Sequence, residues 1–74
     1  MAKGLRGVTS KAAISAFQKA GFKIVRQKGS HVVLFREGYP PLVIPVHSRP
    51  LKMGLLKGEI KKAGLTVEKF KALL

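Results

Sequence analysis

The sequence predicts an α+β fold, a two-layer sandwich of helices on a three-stranded antiparallel sheet, in the order α-β-β-β-α with a short extra C-terminal helix. Apolar residues recur at helical spacing in residues 10–20 and 54–64. Between these stretches lie three strand-like runs, 22–28, 31–37 and 42–46, separated by Gly-Ser and by Gly-Tyr-Pro-Pro. The second face of such a sheet is left open to solvent or to a partner.

The first helix is predicted over residues 10–20. The apolar residues that share its buried face are Ala13, Ile14, Phe17 and Ala20. Thr9 or Ser10 can cap its start with a hydroxyl oxygen. Gly21 stands where a left-handed residue commonly ends a helix.

The third strand and the helices after it contain the remaining apolar residues. Pro45 cannot donate a ladder hydrogen bond, so this strand is predicted to be an edge strand or to end at Pro45. The buried stripe of the second helix is predicted to be Met53, Leu56, Ile60 and Ala63. The short third helix is predicted to be capped by Thr66 and held to the core by Val67, Phe70 and Leu74.

The hairpin between the first two strands determines which side chains meet. Gly29 and Ser30 suit a two-residue type II′ turn with glycine first. Lys28 then faces His31 across the hairpin, and Arg26 lies on the same side of the sheet. Apolar residues occur on both faces of this hairpin, so alternation does not tell which face meets the helices.

The charge balance indicates a polyanionic partner. Fifteen lysines and arginines against three acidic residues give a formal charge of +12 on 74 residues. Such an excess of positive charge destabilises the folded chain by self-repulsion. It is typical of proteins that bind nucleic acid, an anionic membrane or an acidic protein.

The domain organisation is predicted to be simple, with residues 1–8 as a mobile basic arm and residues 9–74 as one domain. There is no cysteine, no apolar run of membrane-spanning length and no readable signal peptide. We therefore expect a cytoplasmic protein that has no membrane partner.

His31 is the candidate catalytic residue. A free histidine titrates near pH 6.5, so a neutral imidazole can accept a proton at pH 7. Cations beside it can hold a phosphate, which suits RNA cleavage by the ribose 2′-hydroxyl. The alternative is a solvated strand residue.

Other polar residues offer less specific chemistry. His47 can be a phosphate ligand, a second proton carrier or an ordinary loop residue. Ser30 is predicted to be a turn residue because no carboxylate orients a serine–histidine pair. Aspartate is absent and the three glutamates, Glu37, Glu59 and Glu68, are scattered, so we expect no metal site and no cofactor.

Two stretches, AGFKIVRQKGSHVVLF and VIPVHSRPLKMGLLKGEIKKAGL, resemble the HicA (YcfA-like) toxins of toxin–antitoxin pairs. The resemblance covers roughly residues 10–66. It implies a fold like the double-stranded-RNA-binding domain and ribosome-independent cleavage of mRNA. It also implies one functional histidine, which falls on His31 in Gly-Ser-His, and a cognate HicB antitoxin that covers this site.

The chain is therefore predicted to be the toxin of a type II toxin–antitoxin pair. It is predicted to be a metal-independent RNA endonuclease that binds DNA only indirectly, through its antitoxin. The predicted RNA-binding residues around His31 are Arg26, Lys28, Gly29, Ser30, Arg36 and His47. The alternatives are a double-stranded-RNA-binding module without chemistry and a sheet that serves only as a protein interface.

Overall fold

The computed structural model describes residues 5–74. Its helices and strands are α1 (Ser10–Lys19), β1 (Lys23–Lys28), β2 (His31–Phe35), β3 (Leu42–Pro45), α2 (Met53–Lys62) and α3 (Val67–Leu73). The sheet is antiparallel with the order β1-β2-β3, so β2 is central. The predicted α+β class and the α-β-β-β-α order with an extra C-terminal helix are confirmed.

Capping residues fix both ends of helix α1. Thr9 is the N-cap, and its hydroxyl oxygen accepts a hydrogen bond of 3.1 Å from the Ala12 N–H. Gly21 follows the helix with a φ of +105°, a left-handed value that glycine adopts without steric cost. Ser10, the other predicted cap, is instead the first helical residue and is buried.

The core lies between the helices and one face of the sheet. The sheet contributes alternate residues of β2 and β3, namely Val32, Leu34, Leu42 and Ile44. Phe17 from α1 packs against Phe70 from α3 with ring centroids 5.0 Å apart, and both side chains are fully buried. Because strand side chains alternate, the neighbouring residues of β2 and β3 point to the other face, which no described helix covers.

Two residues predicted to be buried are exposed. Met53 is 42% exposed because it opens α2, and Leu51, just before the helix, enters the core instead. Leu74 is 49% exposed because α3 ends at Leu73, which packs partly against the core. The other predicted contacts of these helices, including the Thr66 cap and the burial of Phe70, are confirmed.

The predicted N-terminal arm is only partly described, because residues 1–4 lie outside the described residues. Leu5 and Val8 are buried in the core, and the Val8 carbonyl accepts a 2.8 Å hydrogen bond from the Leu51 N–H. Residues 5–8 therefore contact the domain, whereas the sequence predicts residues 1–8 to be a mobile arm. Burial of two apolar side chains holds this segment on the domain.

Strand β3 is an edge strand that also ends at Pro45, so both predictions for this proline hold. Its outer side is partly closed by α2. The carboxylate of Glu59, which is buried, accepts a 3.0 Å hydrogen bond from the Val43 N–H and lies 3.0 Å from the Lys62 amine. The carboxylate satisfies a donor that an edge strand would otherwise present to solvent.

Candidate active site

The hairpin that carries His31 has the predicted turn and register. Gly29 has a φ of +57°, whereas Ser30 has no positive φ, the pattern of a type II′ turn. Lys28 pairs with His31, and Arg26 pairs with Val33. We call Arg26, Lys28 and His31 the hairpin-end cluster.

The hairpin-end cluster lies on the open face of the sheet. Val32 is buried against the helices, so His31 on one side of it and Val33 on the other point away from them. Lys28 is directly opposite His31, which places their Cβ atoms about 5 Å apart. His31 is exposed, so its imidazole is open to solvent without any rearrangement of the core.

The end of β3 completes the surroundings of His31. Pro45 of β3 pairs with His31 on the side opposite Lys28. His31 in the central strand therefore lies between Lys28 of β1 and Pro45 of β3. The Ser30 carbonyl accepts a hydrogen bond from the Val46 N–H, which fixes the turn to the chain beyond β3. His47 follows directly, so this predicted residue lies at the same end of the sheet as His31.

A basic cleft continues from this end of the sheet into the loop before α2. It has a volume of about 310 Å³ and is lined by His47, Arg49, Pro50 and Lys52. We call it the loop cleft. Arg49 and Lys52 were not among the residues predicted from the sequence. The available signal was the cation-rich stretch His-Ser-Arg-Pro-Leu-Lys after a strand that ends in proline, which predicts only a loop.

Ser10 connects α1 to this end of the sheet. Its side-chain hydroxyl donates a 2.6 Å hydrogen bond to the Pro45 carbonyl, and its oxygen lies 3.4 Å from the His47 N–H. The residue is 2% exposed. Because Pro45 is paired with His31, the hydroxyl of Ser10 positions the strand end on which both histidines depend.

Replacing Ser10 by alanine is expected to lower the free energy of unfolding by about 1–3 kcal/mol, because the Pro45 carbonyl loses its buried donor. Chemical denaturation of both proteins measures this difference. Ser15→Ala, a change of the same chemistry at an exposed position of α1, is the matched control and is expected to change stability by less than about 0.5 kcal/mol. Equal stabilities of Ser10→Ala and the parent would contradict the role given to this hydroxyl.

Arg36 does not join the hairpin-end cluster, although it was predicted to bind RNA with it. It follows the far end of β2, five residues and roughly 16 Å of strand from His31. Its guanidinium donates a 2.7 Å hydrogen bond to the Ala20 carbonyl and lies 4.8 Å from the centre of the Tyr39 ring. Through these contacts Arg36 caps the last turn of α1, and its predicted contact with RNA stays a prediction.

The described part of the chain contains neither a metal-binding cluster nor a membrane-spanning helix. Residues 5–74 contain no group of three or more histidine, aspartate or glutamate side chains arranged to hold a metal ion. None of the helices described there has the length and apolar character needed to cross a membrane.

Comparison with known proteins identifies one family. Residues 10–65 match the family model described as the HicA toxin of bacterial toxin–antitoxin systems. The matched span starts at the first residue of α1 and includes the hairpin-end cluster, β3, the loop cleft and α2, but not α3. Comparison with curated proteins gives no match.

Proposed function

Because the chain belongs to the HicA toxin family of bacterial toxin–antitoxin systems, we propose that it is a ribosome-independent mRNA interferase that cleaves RNA with His31. The observation that supports this proposal is an exposed imidazole on the open face of the sheet, with Lys28 paired beside it. Membership of the family implies an antitoxin partner. In this proposal the partner is of the HicB type, it covers His31, and the pair acts in the cytoplasm.

The proposed reaction is an internal transesterification. His31 takes the proton of a ribose 2′-hydroxyl, the 2′-oxygen bonds to the adjacent phosphorus, and the bond from phosphorus to the 5′-oxygen breaks. The products are a 2′,3′-cyclic phosphate and a 5′-hydroxyl. The leaving 5′-oxygen takes its proton from His47 or Lys28, both at the same end of the sheet. Positioned proton transfer of this kind contributes about 10²- to 10⁴-fold to a rate.

The cations around His31 hold the RNA backbone in this proposal. Lys28 and Arg26 bind the oxygens of the cleaved phosphate and stabilise the charge that develops on them. The loop cleft binds a neighbouring phosphate through Arg49 and Lys52, so the backbone crosses the hairpin end from β1 to the loop. Gly29 and Ser30 shape the turn that holds Lys28 opposite His31.

Digestion of a defined RNA in the presence of EDTA tests the proposed chemistry. Cleavage is expected to persist, because imidazole and lysine carry the protons, and the new ends are expected to be 2′,3′-cyclic phosphates. Mass spectrometry of the fragments identifies those ends. Cleavage that stops in EDTA and resumes with added Mg²⁺ would contradict the proposal.

A second candidate function is binding of double-stranded RNA without cleavage, which the lysines of α2 support. Lys57 and Lys61 are exposed on this helix and belong to a chain of formal charge +12. A reader of RNA shape relies on such backbone contacts. Under this alternative, duplex RNA is bound but remains intact in the digestion described above.

A further inference from the structure

The two edges of the sheet differ in how they are protected. On the β3 edge, the Val43 N–H donates a hydrogen bond to the Glu59 carboxylate, and Pro45 has no backbone N–H to donate. On the other side β1 has no neighbouring strand within residues 5–74, and all six of its residues are exposed. An unpaired strand edge of this kind is a template for another strand.

The edge of β1 exposes apolar side chains that RNA cleavage does not require. Ile24 is 46% exposed, and Val25, which the register shift in β1 leaves outside the ladder, is 59% exposed. Beside them a groove of about 550 Å³ separates α1 from the hairpin on the helix side of the sheet. The residues that line this β1 groove include Ile14 of α1 and Ile24, Gln27 and Val32 of the hairpin.

Backbone groups on this edge are also available for pairing. Lys28 and His31 close a two-residue hairpin and therefore form a hydrogen-bonded pair. Gln27, the next residue back along β1, consequently directs its N–H and C=O away from β2. An added strand can pair with Gln27 without disturbing the hairpin.

We propose that the free edge of β1 binds an extended segment of the antitoxin, added as a fourth strand, in which apolar and acidic residues alternate. One set of its side chains points to the helix side, where Ile14 and Ile24 line the β1 groove. The other set points to the open face, beside Arg26 and Lys28. Main-chain pairing supplies affinity, and the alternating side chains supply specificity.

Charge selects an acidic segment over a second copy of this chain. Lys23, Arg26 and Lys28 lie along β1, and each chain carries a formal charge of +12. Pairing two such edges would place like charges side by side, which is how edge lysines prevent self-association. Carboxylates on the added strand would instead neutralise these cations.

The binding surface rests on membership of the toxin family, whereas its inhibitory effect also rests on the proposed function. Carboxylates beside Arg26 and Lys28 would take the positions that the cleaved phosphate needs. The antitoxin segment would therefore block the hairpin-end cluster from its side. Binding is measured separately from cleavage, so the two proposals fail independently.

The test uses a fluorescent peptide of about eight residues in which glutamate and valine alternate. A control peptide has the same composition with the valines and glutamates in two separate blocks. Both are titrated at physiological salt against the full chain carrying His31→Ala, and amide shifts are recorded by NMR. The alternating peptide is expected to bind at least about tenfold more tightly than the block peptide and to shift Gln27 and its neighbours in β1.

Matched variants locate the surface. Ile24→Glu is expected to weaken the alternating peptide about tenfold or more, because it removes an apolar contact and adds a repelling charge. Leu74→Glu has the same charge change at a residue of similar exposure, 49% against 46%, and is expected to change affinity less than about twofold. If circular dichroism shows that Ile24→Glu is unfolded, Val25→Glu replaces it in the binding measurement.

Three results would overturn the proposal. The two peptides could bind equally, which would leave net charge as the only determinant. The shifts could fall on α2 instead of β1. Ile24→Glu, or Val25→Glu in its place, could bind the alternating peptide as tightly as Leu74→Glu does.

Discussion

His31→Ala is expected to reduce the rate of RNA cleavage by about 10²- to 10⁴-fold, because it removes the group that takes the 2′-hydroxyl proton. The fold should be unaffected, because His31 is exposed on the open face and the core lies on the other side of β2. Single-turnover cleavage of one labelled RNA measures the rate, and circular dichroism checks the fold. The RNA-binding alternative predicts intact RNA with both proteins.

Two further variants separate proton transfer from simple contact. His31→Gln keeps a polar side chain that can hydrogen-bond to RNA but cannot take up a proton near neutral pH, so it should be as slow as His31→Ala. His47→Ala removes the other imidazole at this end of the sheet and should reduce the rate less, because Lys28 can protonate the leaving oxygen in its absence. Cleavage by His31→Ala at the parental rate would show that the catalytic assignment is wrong.

Charge reversal at Arg26 and Lys28 together is the second large effect. The double glutamate variant is expected to lose two phosphate contacts. Each contact contributes about 0.7 to the slope of log affinity against log salt concentration for single-stranded RNA, so the magnitude of that slope should fall by about 1.4. Cleavage should fall with it, because the same cations stabilise the reacting phosphate. Binding titrations over a range of salt concentrations, made in the His31→Ala background, measure the slope.

The matched control reverses Lys57 and Lys61, which are exposed on α2. Each double variant removes two positive charges and adds two negative ones, so both lose four units from +12. The control is expected to keep most of the salt slope and the cleavage rate. A larger loss from the α2 pair than from the β1 pair would favour the double-stranded-RNA reader.

The sequence sufficed for the local geometry of the site but not for the face on which it lies. A two-residue turn at Gly29 and Ser30 fixes the pairing of Lys28 with His31, because register follows from turn length. The register shift at Val25 breaks the alternation of β1, and in β2 the open face carries the apolar residues Val33 and Phe35, so both faces of the hairpin read as apolar. Only the packing of Val32 and Leu34 against the helices identifies the open face.

Two polar residues whose contacts the sequence did not predict, Ser10 and Glu59, act on distant parts of the chain. Ser10 bonds to Pro45, 35 positions away, and Glu59 bonds to Val43, 16 positions away. Local sequence patterns do not predict either partner. From the sequence alone the Ser10 hydroxyl is therefore interpreted as a helix cap and the Glu59 carboxylate as a solvated group. Arg36 also has a contact that the sequence did not predict, because its guanidinium bonds to the Ala20 carbonyl at the end of α1.

Attack by a ribose hydroxyl beside His31 is the central claim, and one substitution in the substrate tests it most directly. The rate at a single cleaved bond is measured for an RNA and for the same RNA carrying one 2′-deoxyribonucleotide immediately 5′ to that bond. The account predicts that the parent protein no longer cuts this bond while it continues to cut others in the same molecule. Unchanged cleavage at the deoxy-substituted bond would contradict it.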